Sequence, residues 1–271
     1  MVSSEIRVQT VNHLGIIAGL IDEIGVATNT LHLDSSSFHV HGEYEAKATE
    51  LSVVVDKATG VEQESGCESA PKPIHITHGY SRDKRADLKQ FIIDLICSGD
   101  GDVPLYLRVA DGNEADKAVF ATLMREFRQQ FCNVTNSTEL TAELVLLEYK
   151  GQQSPERGFR FLKDSLFFTN SVFLKSPERV AAIAFVMGLC LLVYSLGQRA
   201  LRACLVQAGE TLDNQLGQPT QRPTLRWVFQ CFQDVHLLQV AGAKQIANLT
   251  PERVRILRFL GSTCGRYYLL C

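Results

Sequence analysis

Two apolar runs, residues 89–98 and 103–110, flank the tetrapeptide Gly99-Asp100-Gly101-Asp102. An Asp-Gly turn between such runs is a strong short-range signal for a β-hairpin, because glycine and aspartate tolerate the backbone that a tight reversal needs. The pair therefore predicts antiparallel strands and excludes an all-helical chain. Residues 113–130 follow, with Ala115, Val119, Phe120, Leu123 and Phe127 at helical spacing. Upstream, residues 28–34 alternate: Leu31 and Leu33 point one way, His32 and Asp34 the other. Asp34 ends that run and is followed by three serines and a second alternating stretch. Strand, hairpin and helix in this order predict a mixed α/β unit.

The rest of the first half is less regular. Residues 12–24 read as a short amphipathic helix stopping at Gly25, and residues 62–73 as a polar surface loop. Residues 75–80 alternate like a strand, and 81–89 form a charged turn. The second half is helical. Ser154-Pro155 and Thr250-Pro251 each place a capping hydroxyl before a proline at a helix start. The second of these leads into a helix ending at Gly261, and residues 222–227 open another.

Charge divides the chain in the same place. Residues 1–150 carry 13 Lys/Arg against 23 Asp/Glu, and residues 151–271 carry 14 against 7. An acidic half joined to a basic half fits a metal-binding part attached to a part that faces a polyanion; two ordinary solvated faces give the same balance. The 45% hydrophobic content over 271 residues supports a substantial core. Eight cysteines without a Cys-x-x-Cys pair read as reduced thiols. Residues 180–197 form an uncharged stretch at the lower edge of membrane-spanning length, but Gly188, Ser195 and Gly197 interrupt it. The reading is a buried helix, no membrane partner and a cytoplasmic location.

Three constellations bear on chemistry. His32, His39, His41, His75 and His78 lie near Asp34 in sequence, without the spacing of a recognised zinc frame. Tyr149, Gln152, Glu156 and Lys163 fall at offsets that share one side of an ideal helix, about 100° per residue. Pro155 is expected to break that helix, so only Glu156 and Lys163 are securely aligned. Finally, Arg157, Arg160, Lys163, Arg253, Arg255 and Arg258 are candidates for phosphate contact, or else for solvated helix faces.

Several stretches together resemble a known family. They are 31–42 (LHLDSSSFHVHG), 78–83 (HGYSRD), 105–113 (LYLRVADGN), 148–163 (EYKGQQSPERGFRFLK), 167–175 (FFTNSVFLK) and the terminal YYLLC. The chain is similar to insertion-sequence transposases of the Asp-Asp-Glu class, over most residues from about 26 onward. Residues 149–163 resemble that family's Tyr-x2-Arg-x3-Glu-x6-Lys signature, with Gln152 where arginine is expected. The resemblance implies a ribonuclease-H-like mixed sheet followed by a mainly helical C-terminal half. Asp34 matches the first catalytic carboxylate and Glu156 the last, both as metal ligands. Tyr149 and Lys163 match residues that position the DNA backbone. The implied cofactor is a pair of Mg2+ or Mn2+ ions, and the implied partner is DNA carrying the element's terminal repeats, with a homo-oligomer or an intact transposase as protein partner.

The middle departs from that pattern. Residues 131–136 (FCNVTN) replace the fourth strand and contain no aspartate, so the second catalytic Asp is expected to be missing. Asp111 is a doubtful substitute, because its Ala-Asp-Gly-Asn context matches the third strand. A junction near Gly25 implies a second internal deletion. The expected organisation is a remnant over 1–25, an interrupted catalytic core over 26–175 and a helical part over 176–271 packing on it. The implied activity is DNA strand cleavage and transfer, impaired in this chain; a non-catalytic DNA-binding or transposase-associating remnant is the alternative.

Overall fold

A computed structural model describes residues 13–15, 24–44, 73–80, 84–114, 153–164, 174–240 and 242–270, with the isolated positions 120, 123, 125 and 143. The architecture is mixed α/β. Four strands, β1 (His13–Gly15), β2 (Leu31–Val40), β3 (Lys89–Ser98) and β4 (Pro104–Ala110), form one antiparallel sheet in the order β1-β4-β3-β2. The Gly-Asp-Gly-Asp segment turns β3 into β4, with Gly101 at φ +81° and Asp102 at +59°, and a register shift follows at Ile96/Cys97. The hairpin expectation therefore holds.

The two faces of the sheet are assigned by register, since residues directly opposed in antiparallel strands share a face. Asp34, Leu95 and Leu107 form one cross-strand row, and Ser35, Asp94 and Arg108 form the next, on the opposite face. Helices α1 (Gln153–Leu162) and α2 (Pro177–Ala208) cover the first face. A Cβ on Gly158 would come within 2.7 Å of Leu95 and 3.3 Å of Leu191, and one on Gly188 within 2.8 Å of Leu107. Glycine at these two positions lets both helices lie close to the strands. On the second face, Ser35 Oγ donates to Asp94 at 2.5 Å, and Arg108 bridges Asp94 at 2.7 Å and Glu114 at 2.6 Å. This satisfies a carboxylate that would be costly to bury alone.

Beyond the sheet, β5 (Leu212–Asp213) pairs with β6 (Pro219–Thr220), and β7 (His236–Val240) pairs with β8 (Ala243–Ala247). Helices α3 (Leu225–Cys231), α4 (Pro251–Leu260) and α5 (Ser262–Tyr267) complete the order. Thr250 caps α4 as its sequence foretells, and α3, expected to open over 222–227, starts at Leu225 with Thr224 as its cap. Two apolar cores result. The first joins the sheet to α1 and the N-terminal half of α2; the second gathers Leu201, Leu205, Leu212, Leu225, Val228 and Ile256. At 32 residues, about 48 Å, α2 belongs to both.

Helix α2 contains the apolar stretch 180–197 and is long and apolar enough to cross a membrane, the one such helix among the described residues. Val180, Ala184, Met187, Leu191 and Ser195 are buried at three- and four-residue spacing, so one side serves as core. Ser176 and Pro177 start it, and Gly209 ends it in the left-handed region at φ +65°.

Several expectations are corrected. His13–Gly15, placed in a helix over 12–24, instead pairs with Tyr106–Arg108, because the free edge of β4 offers hydrogen bonds that outweigh the helical periodicity. Ile24 alone of that segment is described as helical, followed by Gly25 at φ +67°. Residues 75–80 make only a single bridge, Thr77 to Gln90. Phe120, expected on an apolar helix face, is 55% exposed, whereas Leu123 is buried. The loop expected over 62–73 lies outside the described residues except for Pro73, and residues 131–136 lie wholly outside them. Among the described residues, no strand pairs with the outer edge of β2.

Candidate functional site

Asp34 lies in the fourth position of β2, not at a strand end; the strand runs on through the three serines to Val40. It is half-buried and faces the side of the sheet on which α1 lies. Phe38, four residues along the same face, stacks on Phe91 with ring centroids 5.5 Å apart and meets Phe159 of α1 at 6.4 Å. Lys163 Nζ stands 5.3 Å above the Phe38 ring. At the other end of α1, the Ser154 hydroxyl and the Arg157 guanidinium bond Asp102 in the β3–β4 turn.

These contacts fix the direction of α1. It starts beside the turn, level with Leu31, and runs along β2 to finish over Phe38. Glu156, in its first turn, therefore stands toward the Asp34 end of the strand, and Lys163 two turns further along. Both are solvent-exposed and share a helix side, since seven residues return to within about 20°. The structure thus places Asp34 and the helix that carries Glu156 and Lys163 on one face of the sheet.

Helix α1 begins at Gln153, not after Ser154, and it passes through Pro155 without a break. Proline is tolerated in a first turn, where its missing N–H has no intrahelical partner to lose. Ser154 is not the cap; its side chain is committed to Asp102. Tyr149 and Gln152 lie outside the described residues.

Asp111 does not join the group. It follows the end of β4, two strands away from β2 and four residues along from the Asp34 row. That is about 10 Å across the sheet and about 13 Å along it. Its Oδ1 already accepts the His75 backbone N–H at 2.7 Å. Two ions about 4 Å apart cannot be shared over such a separation. Among the described residues there is no group of three or more His, Cys, Asp or Glu side chains able to hold a metal ion, and the histidines near Asp34 form none. Of the carboxylates that the resemblance assigns to metal, Asp34 and Glu156 are described, and both offer the oxygen donors that a hard cation takes.

The basic candidates divide. Arg157 is held by Asp102 through a two-point fork, Nε at 2.7 Å and Nη2 at 2.6 Å. Burial alone would raise the Asp102 pKa, but the Arg157 and Ser154 hydrogen bonds outweigh it and hold the carboxyl below its usual range. Arg253 pairs with Asp234 at 2.5 Å, and Arg255 and Arg258 share Glu210 at 3.2 and 2.7 Å. Arg160 makes no salt bridge to a described carboxylate, and Lys163 lies over the Phe38 ring.

Two features had no local sequence signal. The clamp of Ser154 and Arg157 on Asp102 joins residues about fifty positions apart. A cluster of arginines, Arg202, Arg222 and Arg226, gathers where α2 meets α3, and Arg226 pairs with Asp164. Comparison of the chain with protein-family models, with curated proteins and with solved structures finds no match in any of the three.

Proposed function

We propose that the chain derives from an insertion-sequence transposase with a ribonuclease-H-like core, and that its DNA strand-cleavage and transfer activity is impaired. One observation carries the reading. The helix bearing Glu156 and Lys163 lies on the same sheet face as Asp34, in a sheet whose strands β2, β3 and β4 follow each other antiparallel. Asp34 and the helix carrying Glu156, about 120 residues apart in sequence, share that face, and the family resemblance implies that they do.

The chain's own residues suggest a division of labour. Asp34 and Glu156 supply acceptor-only oxygens suited to a hard cation such as Mg2+ or Mn2+, which would polarise a phosphodiester. Lys163 supplies a point charge for a DNA phosphate two helical turns away. With a carboxylate fewer than the family pattern, cation affinity and positioning both fall. That deficit favours a second reading: a non-catalytic protein that binds DNA or associates with an intact transposase or a second copy of itself.

Both readings can be tested together. Mn2+ binding is measured by electron paramagnetic resonance in the full chain and in the Asp34→Ala/Glu156→Gln double variant. Weak binding that the double variant loses is expected; equal binding in both proteins refutes the site. Mg2+- or Mn2+-dependent cleavage of DNA bearing the element's terminal repeats is expected to be low. Robust cleavage that Asp34→Ala abolishes overturns the impairment.

A further inference from the structure

Arg202 sits where α2 meets the segment leading into α3. It is half-buried on α2, and its Nε donates to the Pro223 carbonyl at 3.0 Å. No salt bridge reaches it from a described carboxylate. Burial, and then the positive charge of nearby Arg222, push its pKa down. Arg222 is exposed, and its guanidinium also lacks a salt bridge among the described residues.

The two arginines line an open recess of about 500 Å3 between α2 and the segment leading into α3. Gln207 and Gln221 add amide groups to its wall. Its one carboxylate, Asp100, is already committed: it accepts from Arg199 at 2.7 Å and from the Ala27 N–H at 3.0 Å. On its other side Arg202 lines a second recess of about 190 Å3, shared with Arg160 and with Asp102 and Asp164, which pair with Arg157 and Arg226. Holding two guanidinium groups near each other with no anion between them is unfavourable, and a bound anion removes that repulsion.

We propose that Arg202 and Arg222 form a phosphate-binding site in this recess, separate from Asp34 and Glu156. Guanidinium forks match the oxygens of a phosphate group, and a half-buried fork is screened less than a surface one. The phosphate comes either from a nucleic-acid backbone or from a small phosphorylated molecule, and the chemistry at the arginines is the same.

The probe is inorganic pyrophosphate, titrated calorimetrically into the full chain without divalent metal. Saturable binding is expected, weakened at least tenfold, about 1.4 kcal/mol, by Arg202→Gln and by Arg222→Gln. Arg266→Gln, at an exposed arginine outside the recess, is expected to change nothing. Arg222 lies outside both apolar cores, so its variant tests the site even if Arg202→Gln unfolds. Absence of saturable binding, or equal binding by the Arg222 and Arg266 variants, overturns the proposal. A short DNA duplex that competes with pyrophosphate, with a salt slope about one lower in Arg222→Gln, identifies a backbone phosphate. Pyrophosphate binding without competition identifies a small ligand instead. Because neither Asp34 nor Glu156 lines the recess, loss of this site leaves their Mn2+ binding unchanged, and the two readings fail separately.

Discussion

Gly158→Ala tests the seating of α1 on the sheet face that carries Asp34. Away from the sheet, replacing a helix-interior glycine by alanine would stabilise the chain by about 1 kcal/mol. Here the added Cβ meets Leu95 Cδ2 at 2.7 Å and Leu191 Cδ2 at 3.3 Å, and Leu95 is wholly buried. Overpacking of this kind costs about 1–3 kcal/mol. The steric cost exceeds the gain in helix propensity, leaving a net loss of about 1 kcal/mol. Measured by urea unfolding, this lowers the midpoint by roughly 0.3 M for a slope near 3 kcal/mol/M. A double-mutant cycle isolates the cause. Leu95→Ala is destabilising by itself, about 2–5 kcal/mol, but it removes the atom that the new Cβ meets. In that background Gly158→Ala changes sign and becomes stabilising. If it stabilises both backgrounds equally, α1 does not press on Leu95, and the placement of α1 on the Asp34 face falls with it.

Other perturbations follow from the ion pairs. The Asp102 carboxyl is held below its usual range in the folded chain, so its contribution is complete above the ordinary carboxylate range and lost as pH falls through the lower folded value. The stability gap between wild type and Asp102→Asn, followed by thermal melts, is expected to be constant from pH 8 to about 5 and to close below about pH 4; a gap that widens in acid contradicts the assignment. Glu210→Gln is expected to alter stability by less than about 1 kcal/mol, since its bonds to Arg255 and Arg258 are largely exposed. Because it releases two guanidinium groups, the variant should elute from heparin at higher salt than wild type. Unchanged elution would mean that the pairing does not restrain those charges.

What the sequence disclosed depended on how local each signal was. The hairpin over residues 89–110 and the capping threonine at 250 are encoded within a few residues, and they fold as read. His13–Gly15 misled because its apolar spacing fits a helix, while the free edge of a strand some ninety residues later decides its conformation. Ser154 misled for a related reason: a hydroxyl before proline reads as a cap, yet Asp102 claims it from across the chain. Asp34 and Glu156 were nameable through resemblance, but not that the helix carrying Glu156 lies on the Asp34 face, which follows from the register of β2 with β3 and from a glycine in α1. Arg202 and Arg222 carry no motif. Their proximity is a product of how α2 and α3 meet, and no spacing along the chain announces it.

The length of α2 has a consequence for how the molecule comes apart. One continuous rod supplies Leu191 and Leu192 to the sheet's core and Leu201 and Leu205 to the distal one. Neither core keeps its full lining if the rod breaks between Leu192 and Leu201, so the two are coupled mechanically as well as by sequence. Heat or denaturant should then reveal a shared cooperative transition, and damage at Leu205 should be felt as faster amide exchange in β4, at the far end of the same helix. Separate transitions for the sheet and the C-terminal helices would show that the rod bends without transmitting.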